Sequence, residues 1–480
     1  MSELMRLNRS QTKTIITLGP ASWSKNVLRL LFYEGVDVCR LNFSHGKHDD
    51  HLNAIKTIRE LNDELGAQVA ILADLQGPKI RIGDMKNGKE LLEEGKLITM
   101  TTIPCEGSNK VLYINYMNFP NDVKAGEKIL MDDGKIRLEV IETNLKDTVK
   151  LKVLNGGYIS SHKGVNLPDT KTSLPCLTEK DKADLNFALQ HNVDWIALSF
   201  VRKTDDIKQL REIIHSQGKS TSVVAKIEKP EALEEIDDII DETDAIMVAR
   251  GDLGVEASFE RVPLIQKDLI QKSINKGKPV IVATQMLESM ISNFEPTRAE
   301  ATDVANAVLD GADALMLSGE TSVGKYPVES LRNMQKIIDH TEKYGFNYNR
   351  ETAHTDSKRL VSDAICDAAR RISDTINAEA IVTFTTSGYS AYKLSSYRPK
   401  ASIFVFTQSR ELLCRLSLVW GVRAFMVKVT ENIDDSIVFT NEYLKVKKFI
   451  KAGDKLIHLA SIPLNENGKT NMLKVTTLTD

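Results

Sequence analysis

Short runs of apolar and β-branched residues recur along the first 345 residues, and a segment with helical periodicity follows each run. The runs are almost continuously apolar, which is typical of parallel strands that are covered on both faces. The predicted strands are Thr14–Leu18, Val36–Phe43, Val69–Leu75, Asp194–Phe200, Ser222–Glu228, Ala245–Arg250, Pro279–Thr284 and Ala314–Gly319. These repeats predict an α/β fold with a (β/α)8 TIM barrel, although periodicity alone also allows a doubly wound open sheet.

The pattern changes between the third predicted strand and the helix that begins near Thr178. Alternating apolar and polar residues are separated there by turn signals such as Asp133-Gly134. This predicts an inserted small β-barrel domain that lies over the catalytic face of the barrel as a lid. From about Tyr348 onward, strands and helices alternate again, which predicts a C-terminal open α/β-sheet domain. The predicted domains are a barrel domain (1–77 and 165–345), a lid domain (78–164) and a C-terminal domain for regulation or oligomerisation (346–480).

The composition argues against two classes of partner, nucleic acids and membranes. The chain has 480 residues, and its 63 Lys and Arg against 66 Asp and Glu give a net charge of −3. Because no overall positive field would hold a nucleic acid or an anionic membrane, neither is an expected partner. Five scattered cysteines, no apolar run long enough to span a bilayer and a polar N-terminus predict a reduced, cytoplasmic protein.

Polar residues end the predicted strands from the second onward, which is where a barrel places its chemistry. Lys226 and Glu228 are two apart on one strand and point to the same side, and Asp252 follows the neighbouring strand. Two carboxylates without His or Cys suit a hard cation such as Mg²⁺ or Mn²⁺, while an ordinary surface ion pair is the alternative for Lys226 and Glu228. Basic residues nearby predict a phosphate-binding rim and phosphoryl transfer. These residues are Arg40, Arg81, Lys203, Lys226 and Arg250.

One motif in this region is a decoy. The segment Gly319–Lys325 has the spacing of a phosphate-binding loop and follows a strand. However, Tyr326 stands where that loop needs a Ser or Thr hydroxyl for Mg²⁺, and Pro327 comes next. We therefore expect no nucleotide site of that kind.

Eight segments of the chain resemble the pyruvate kinase family, in the family's order and across the barrel and both ends of the insertion. They are Thr14–Ser22, Arg40–Gly46, Asp74–Arg81, Lys163–Pro168, Ala225–Glu228, Met247–Glu256, Ala283–Met290 and Leu317–Thr321. The resemblance implies a glycolytic enzyme that makes pyruvate and ATP from phosphoenolpyruvate and ADP. It also implies a barrel domain, a lid domain and a C-terminal domain, assembled as a homotetramer.

The resemblance assigns a role to each matching position. It places Mg²⁺ on Glu228 and Asp252. Phosphoenolpyruvate would contact Arg40, Lys226, Gly251, Asp252 and Thr284, and ADP or ATP would contact Asn42, His45, Arg81 and Lys203. The catalytic residues would be Arg40, Lys226, Thr284, Ser318 and Glu320. Thr284, Ser318 and Glu320 are all candidates for the group that protonates the enolate, directly or through water.

Lys79 departs from the family pattern. Potassium-dependent members usually carry Glu at this position, and they also carry Thr and Lys where this chain has Leu75 and Gln76. The resemblance places their K⁺ in a pocket made by Asn42, Ser44, Asp74 and Leu75. The ammonium of Lys79 can take the place of that cation. We therefore expect an enzyme that needs Mg²⁺ but not K⁺.

A strand-to-helix loop in the C-terminal domain resembles the family's effector-phosphate loop. Its candidate binding residues are Thr385, Thr386, Ser387, Gly388 and Ser390, although an ordinary capped turn is the alternative. An arginine that binds the second phosphate in relatives activated by fructose 1,6-bisphosphate has no clear counterpart, and Ser436 lies at the aligned position. A sugar-phosphate or nucleotide effector with one phosphate, or no effector, is therefore compatible with the sequence.

Two other function classes are alternatives. A lysine Schiff-base aldolase would also use a strand-end lysine such as Lys226, but the metal-binding pair and the lid argue against it. A catalytically dead, effector-sensing relative would be expected to lack one of four residues that this chain retains. Those residues are Lys226, Glu228, Asp252 and Thr284.

Overall fold

The computed structural model describes residues 10–346, 348, 359–427, 432–462 and 469–479. The first strands are β1 (Lys13–Thr17), β2 (Val38–Asn42) and β3 (Ala70–Asp74), and the helices between them are α1 (Lys25–Tyr33) and α2 (His48–Leu65). Ser24 begins α1 by accepting the Val27 N–H, and α2 ends at Gly66, whose φ of 64° is left-handed. These strands are buried almost throughout, as their continuously apolar sequences predict.

The chain then leaves the barrel to form the lid. The elements of the lid are β4 (Lys89–Leu92), β5 (Leu97–Thr101), β6 (Val111–Tyr113), α3 (Phe119–Asp122), β7 (Lys128–Met131), β8 (Ile136–Thr143), β9 (Thr148–Asn155), β10 (Gly157–Ser160) and β11 (Val165–Asn166). Six strands form a sheet in the order β11-β7-β8-β9-β5-β6, and β4 pairs with β10. Single bridges join Arg81 to Gly164, beside one edge of the sheet, and Ile82 to Ile114, beside the other. The segment between the two edges therefore curls the sheet towards a closed barrel.

After the lid, five further strands complete the barrel. They are β12 (Trp195–Leu198), β13 (Ser222–Ile227), β14 (Ala245–Ala249), β15 (Val280–Ala283) and β16 (Ala314–Leu317). The helices are α4 (Glu179–Gln190), α5 (Thr204–Ser216), α6 (Glu231–Glu234), α7 (Ile236–Glu242), α8 (Arg250–Glu256), α9 (Val262–Lys276), α10 (Arg298–Asp310), α11 (Gly319–Ser322) and α12 (Pro327–Tyr344). Short 3₁₀ helices span Lys86–Gly88, Phe259–Arg261 and Glu288–Ile291. Because β16 pairs with β1, the eight parallel strands close into a barrel.

The C-terminal domain is an open sheet with helices on it. Its elements are α13 (Leu360–Thr375), β17 (Ala380–Phe384), α14 (Tyr389–Ser396), β18 (Ser402–Thr407), α15 (Arg410–Leu416), β19 (Val422–Met426), α16 (Ile433–Val446), β20 (Lys455–Ala460) and β21 (Met472–Thr477). The strand order is β19-β18-β17-β20-β21, with β21 antiparallel to β20. The predicted fold class, a (β/α)8 barrel with an inserted β domain and an open C-terminal α/β sheet, is confirmed.

The C-terminal domain closes the base of the barrel, the end opposite the catalytic face. Cys414 of α15 and the nearby Leu418 pack into the core inside the barrel, together with side chains such as Trp195. Beside them, Arg398 forms a buried ion pair with Asp313 at 2.8 Å. The base of the barrel is therefore sealed, and we call the opposite end, at the carboxyl ends of the strands, the mouth.

Across the described ranges, no helix has the length and apolar character needed to cross a membrane.

Candidate active site

Four charged side chains form a connected cluster at the mouth of the barrel. The Lys226 ammonium lies 3.2 Å from Asp74 Oδ1 and 3.0 Å from Glu228 Oε1. Arg40 on β2 donates from Nε to Asp74 Oδ2 at 2.7 Å. None of the four is more than 9% exposed. Two cations and two carboxylates are therefore held away from water, which is tolerable because each contacts an opposite charge.

These contacts fix the charge states of the cluster. Burial alone would lower the pKa of Lys226, but the carboxylates of Asp74 and Glu228 outweigh it and raise this pKa above its ordinary value. Burial would raise the pKa of Asp74, but the charges of Lys226 and Arg40 hold it below its usual range. Lys226 is therefore an ammonium and Asp74 a carboxylate at neutral pH.

Glu228 and Asp252 follow neighbouring strands, β13 and β14. Burial raises the pKa of Glu228 against the opposing charge of Lys226, and the charge of Asp252 raises it further. A divalent cation between the two carboxylates would relieve this repulsion on Glu228, and an oxygen-only donor set suits Mg²⁺ or Mn²⁺. The pair therefore fits the predicted metal. No group of three or more His, Cys, Asp or Glu residues in the described part of the chain could hold a metal ion.

Thr284 lies beside Gly251 and has a strained backbone. Its hydroxyl accepts the Gly251 N–H at 2.8 Å and donates to the Ala283 carbonyl at 2.6 Å. Its φ is 71°, and Gln285 follows with a φ of 54°. A positive φ is unusual for a β-branched residue and persists where the surrounding structure imposes it, often at a functional site.

Glu320 and Ser318 are joined by a hydrogen bond. Glu320 is 2% exposed, accepts the Leu287 N–H on Oε1 at 3.1 Å and accepts the Ser318 N–H on Oε2 at 2.7 Å. Burial raises the pKa of Glu320 in spite of these hydrogen bonds. The carboxylate therefore ties together the loops that follow β15 and β16, whereas Ser318 is the more accessible of the two predicted residues.

Positive charges gather around His45 on another side of the mouth. Partial burial lowers the pKa of His45, and the charges of Arg81, Arg40 and Lys79 lower it further. Asn42 ends β2, three residues before His45. The structure therefore brings Asn42, His45 and Arg81 together, and the lid supplies the arginine.

Two basic residues of the predicted rim have partners outside this cluster. Lys203 is exposed, and its ammonium lies 3.7 Å from Asp205 Oδ2 at the start of α5. Arg250 donates to Asp303 Oδ1 at 2.8 Å and to the Thr284 carbonyl at 2.7 Å. The Arg250 guanidinium therefore joins α10 to the strained loop after β15, and its place in the phosphate rim stays a prediction.

Lys79, near the start of the lid, lies close to the predicted metal-binding pair Glu228 and Asp252. Its ammonium is 3.8 Å from Asp252 Oδ1. In the predicted monovalent-cation pocket, Asn42 Oδ1 accepts the Ser44 N–H at 3.1 Å, and the Leu75 carbonyl accepts the Ser199 hydroxyl at 2.7 Å. Asp74, the charged member of that pocket, pairs with Arg40 and Lys226. Occupation of the pocket by Lys79 stays a prediction.

Comparisons with known proteins identify the family. A family model described as pyruvate kinase, barrel domain, matches residues 9–331, and one described as pyruvate kinase, alpha/beta domain, matches residues 363–476. The chain belongs to the pyruvate kinase family. A pyruvate kinase of Corynebacterium efficiens is 44% identical over 97% of each chain, and one of Mycobacterium tuberculosis is 43% identical over 96% of this chain and 97% of its own. A crystal structure of a pyruvate kinase from Cryptosporidium parvum is 35% identical and has a TM-score of 0.91, with 98% of this chain and 96% of that chain covered.

The loop that resembles the effector site of the pyruvate kinase family follows β17 and begins α14. Thr385 Oγ1 accepts the N–H of Gly388, whose φ is 83°, at 2.9 Å. Ser390 is 2% exposed, and its hydroxyl shares a hydrogen bond of 2.8 Å with Thr383. Thr386 and Ser387 are exposed. The Ser390 hydroxyl is therefore used inside the fold, and the exposed part of the predicted site is Thr386 and Ser387.

Sequence reasoning missed three groups at this pyruvate kinase site. The Ser199 hydroxyl accepts the Lys226 ammonium at 2.7 Å, the Phe200 N–H donates to Glu228 Oε2 at 2.7 Å, and Thr17 Oγ1 accepts from Arg40 at 2.9 Å. All three lie at or just after the end of a barrel strand. Ser199 and Thr17 are polar residues at strand ends, so their position in the sequence could have indicated them. The Phe200 N–H could not have been found in this way, because every residue type except proline has a backbone N–H.

Proposed function

We propose that this chain transfers the phosphoryl group of phosphoenolpyruvate to ADP in glycolysis, giving pyruvate and ATP. The observation that carries the proposal is the buried cluster of Arg40, Asp74, Lys226 and Glu228 at the barrel mouth. Asp74 orients both cations, so each can meet the substrate without first having to be ordered. Such preorganised charge is the main catalytic resource in phosphoryl transfer.

The chain's own residues would act on the two ends of the bond that breaks. The bond between the enol oxygen and phosphorus breaks while a new bond forms from a β-phosphate oxygen of ADP to the same phosphorus. Arg40 would hold the transferring group by paired N–H donors, and the Lys226 ammonium would stabilise the enolate oxygen that is left. His45 and Arg81 would neutralise the nucleotide phosphates, with Asn42 beside them.

Glu228 and Asp252 would hold Mg²⁺ or Mn²⁺. When bound, the cation supplies positive charge to the substrate and phosphoryl oxygens. The Gly251 N–H is already bonded to Thr284 Oγ1, so the loop that follows β15 sets the position of the Asp252 turn.

The enolate then takes a proton at carbon, and we propose the Thr284 side of the mouth as its source. Thr284 contacts Gly251, next to the proposed metal ligand Asp252, and its hydroxyl would exchange the hydrogen bond to the Ala283 carbonyl for one to the substrate. Glu320 is 2% exposed, and both of its oxygens accept backbone N–H groups. Exchange of the pyruvate methyl protons for deuterium isolates this step. We expect Thr284→Val to slow the exchange more than Ser318→Ala, and the opposite order would assign the proton to the Ser318 side.

The decisive test is a coupled assay of pyruvate formation from phosphoenolpyruvate and ADP, with Mg²⁺ present and then removed by a chelator. We expect turnover only with the divalent cation. Absence of turnover by the full-length, folded protein would overturn the proposal. The raised pKa of Lys226 argues against the aldolase alternative, because a Schiff-base lysine must supply a neutral amine.

We also propose that K⁺ is not required, because Lys79 brings a positive charge to the mouth. Its contact with Asp252 and its influence on His45 support a charge at this position. The test measures turnover in Mg²⁺ with tetramethylammonium as the counter-cation. Stimulation of many-fold on adding K⁺ would refute the proposal.

The proposed regulation lies in the C-terminal domain. Exposed Thr386 and Ser387 support binding of a single phosphate, and Ser436, at the position of the missing arginine, is buried and donates to the Asn432 carbonyl at 3.1 Å. Titration of sugar monophosphates, nucleotides and fructose 1,6-bisphosphate at subsaturating phosphoenolpyruvate tests this. We expect any activation to come from a monophosphate and to be lost in Thr386→Ala.

We propose a cytoplasmic homotetramer, as the family resemblance implies. Exposed apolar residues on the C-terminal domain support self-association: Leu360 and Val361 begin α13, and Val475 lies on the edge strand β21. Light scattering of the purified protein measures the mass directly, and a monomer at micromolar concentration would exclude the assembly.

A further inference from the structure

The lid joins the barrel at two chain crossings, and the second crossing carries a partly buried polar contact with no part in the chemistry described above. Asn166 in β11 donates from Nδ2 to Glu256 Oε1 at 2.8 Å. The Lys229 ammonium lies 2.8 Å from the same oxygen. We call Asn166, Glu256 and Lys229 the hinge bridge.

The hinge bridge is enclosed and depends on a single oxygen atom. Lys229 is 8% exposed and Glu256 is 5% exposed. Glu256 Oε2 has no hydrogen-bond partner among the described residues, so Oε1 receives both donors. A buried charge that loses a partner is strongly disfavoured. The bridge therefore holds Asn166, and with it the end of the lid, against the barrel.

Helix α8 is the surface on which the lid rests. Glu256 ends this helix, and Asp252 lies in its first turn. Lys79, from the first crossing, lies 3.8 Å from Asp252 Oδ1, and a Cβ on the lid residue Gly134 would lie 3.9 Å from Val255 Cγ1. A helix of this length is about 10 Å long, and its backbone hydrogen bonds connect Glu256 to the turn that carries Asp252. A displacement at Glu256 therefore also displaces Asp252.

The other end of the bridge reaches the second metal-binding carboxylate. Lys229 follows Glu228 directly, and the Phe200 N–H holds Glu228 Oε2 at 2.7 Å. Phe200 also contacts the first crossing, because a Cβ on Gly77, whose φ is 70°, would lie only 2.9 Å from Phe200 Cδ2. Both crossings thus contact groups that position Glu228 or Asp252.

We propose that Glu256 is a positioning residue: through the hinge bridge, the seating of the lid sets the separation of Glu228 and Asp252 and so the affinity for a divalent cation. The inference rests on the proposed function, which assigns the cation to these two carboxylates. Residues that orient metal ligands commonly change metal affinity by about 10- to 100-fold when they are altered.

The test breaks the bridge and then rebuilds it with donor and acceptor exchanged. Asn166→Asp places a carboxylate against Glu256, and we expect the dissociation constant for Mn²⁺ alone to rise about tenfold. The half-saturating Mg²⁺ concentration in the assay rises in parallel, while kcat at saturating Mg²⁺ changes less. The double variant Asn166→Asp/Glu256→Gln restores an amide–carboxylate pair, and we expect Mn²⁺ affinity to return to within about threefold of the parent.

Hydrogen exchange of the full-length, metal-free protein gives a readout without any cation. We expect faster exchange in 164–167 and 250–256 for the single variant and recovery in the double variant. Asn155→Asp is the matched control, because Asn155 donates only within the lid, to the Lys135 carbonyl at 2.6 Å.

Three results would overturn the inference: parental Mn²⁺ affinity in Asn166→Asp, no recovery in the double variant, or an equal loss in Asn155→Asp. The unfolding midpoint of every variant is measured to detect a general loss of stability. The double variant would not be expected to reverse such a loss. If the parent binds Mn²⁺ but forms no pyruvate, the proposed function fails, and the Mn²⁺ series still decides the role of the hinge bridge.

Discussion

The mouth and the base of the barrel both bury charge, but they do so differently. At the base, Arg398 donates to Asp313 and to the Gly311 carbonyl at 2.8 Å each, and it is 1% exposed. At the mouth, Asp74 is shared by Arg40 and Lys226. The base pairs one cation with one carboxylate and closes over them, whereas the mouth links two cations and two carboxylates in one cluster. The base therefore serves stability, and in the proposed function the mouth presents ordered charges to a substrate.

Loss of a mouth cation is expected to have the largest effect on turnover. Lys226→Met removes the ammonium, and we expect kcat to fall by about 1,000-fold or more, as for other preorganised charge at a transition state. Asp74 keeps its partner Arg40, but the buried Glu228 loses its ion pair with Lys226, so we also expect a lower unfolding midpoint. Steady-state kinetics and thermal unfolding measure the two quantities. A variant with kcat within tenfold of the parent would contradict the assigned role.

Loss of a base cation is expected to act on stability instead. Arg398→Met leaves Asp313 buried without its charged partner, which costs about 3–5 kcal/mol of unfolding free energy. Urea unfolding measures this loss. Turnover of the protein that remains folded at low temperature should be close to that of the parent. Loss of turnover at unchanged stability would mean that the two ends do not differ as described.

A buried histidine that lies at neither end of the barrel predicts how the free energy of unfolding changes with pH. Desolvation lowers the pKa of His458 in β20 to about 4, and its Nε2 lies 3.0 Å from Thr476 Oγ1. The unfolded chain binds a proton near pH 6.5, so stability is fully present above that pH and falls as the pH drops towards 4. The loss reaches about 3 kcal/mol. We expect His458→Gln to flatten this dependence in thermal unfolding between pH 8 and pH 5, and an unchanged dependence would exclude His458 as its source.

A charge reversal at the mouth has the smallest expected effect and the most specific one. Lys79→Glu removes the ammonium beside Asp252 and restores the residue that potassium-dependent relatives carry. We expect turnover without K⁺ to fall about tenfold, equivalent to about 1.4 kcal/mol, and to recover on adding K⁺. Lys96→Glu, at an exposed lid position, is the control for charge. Failure of K⁺ to rescue the Lys79 variant would exclude this residue as the substitute cation.

The sequence predicts the architecture well because the barrel repeats one pattern. Continuous apolar runs mark strands that are buried on both faces, and the lid differs by alternating. At the site, residue types at strand ends suffice for Lys226, Glu228 and Asp252. They do not suffice for Arg250, because a guanidinium at a strand end can bind a neighbouring helix as well as a phosphate. The contacts of the hinge bridge also cannot be predicted from the sequence pattern, because Asn166 and Glu256 are far apart in the sequence and meet only in the folded protein.

Cys414 and Leu418, which fill the base of the barrel, are synthesised long after the lid. The lid is complete when β11 leaves the ribosome, yet Cys414 and Leu418 are made about 250 residues later, on the order of 10 to 50 seconds at typical elongation rates. The last barrel strand, β16, ends at Leu317, about 100 residues before Cys414, so the eight strands are made before the residues that fill the base. We therefore expect a nascent chain arrested between these two points to expose an apolar opening at the base of its barrel.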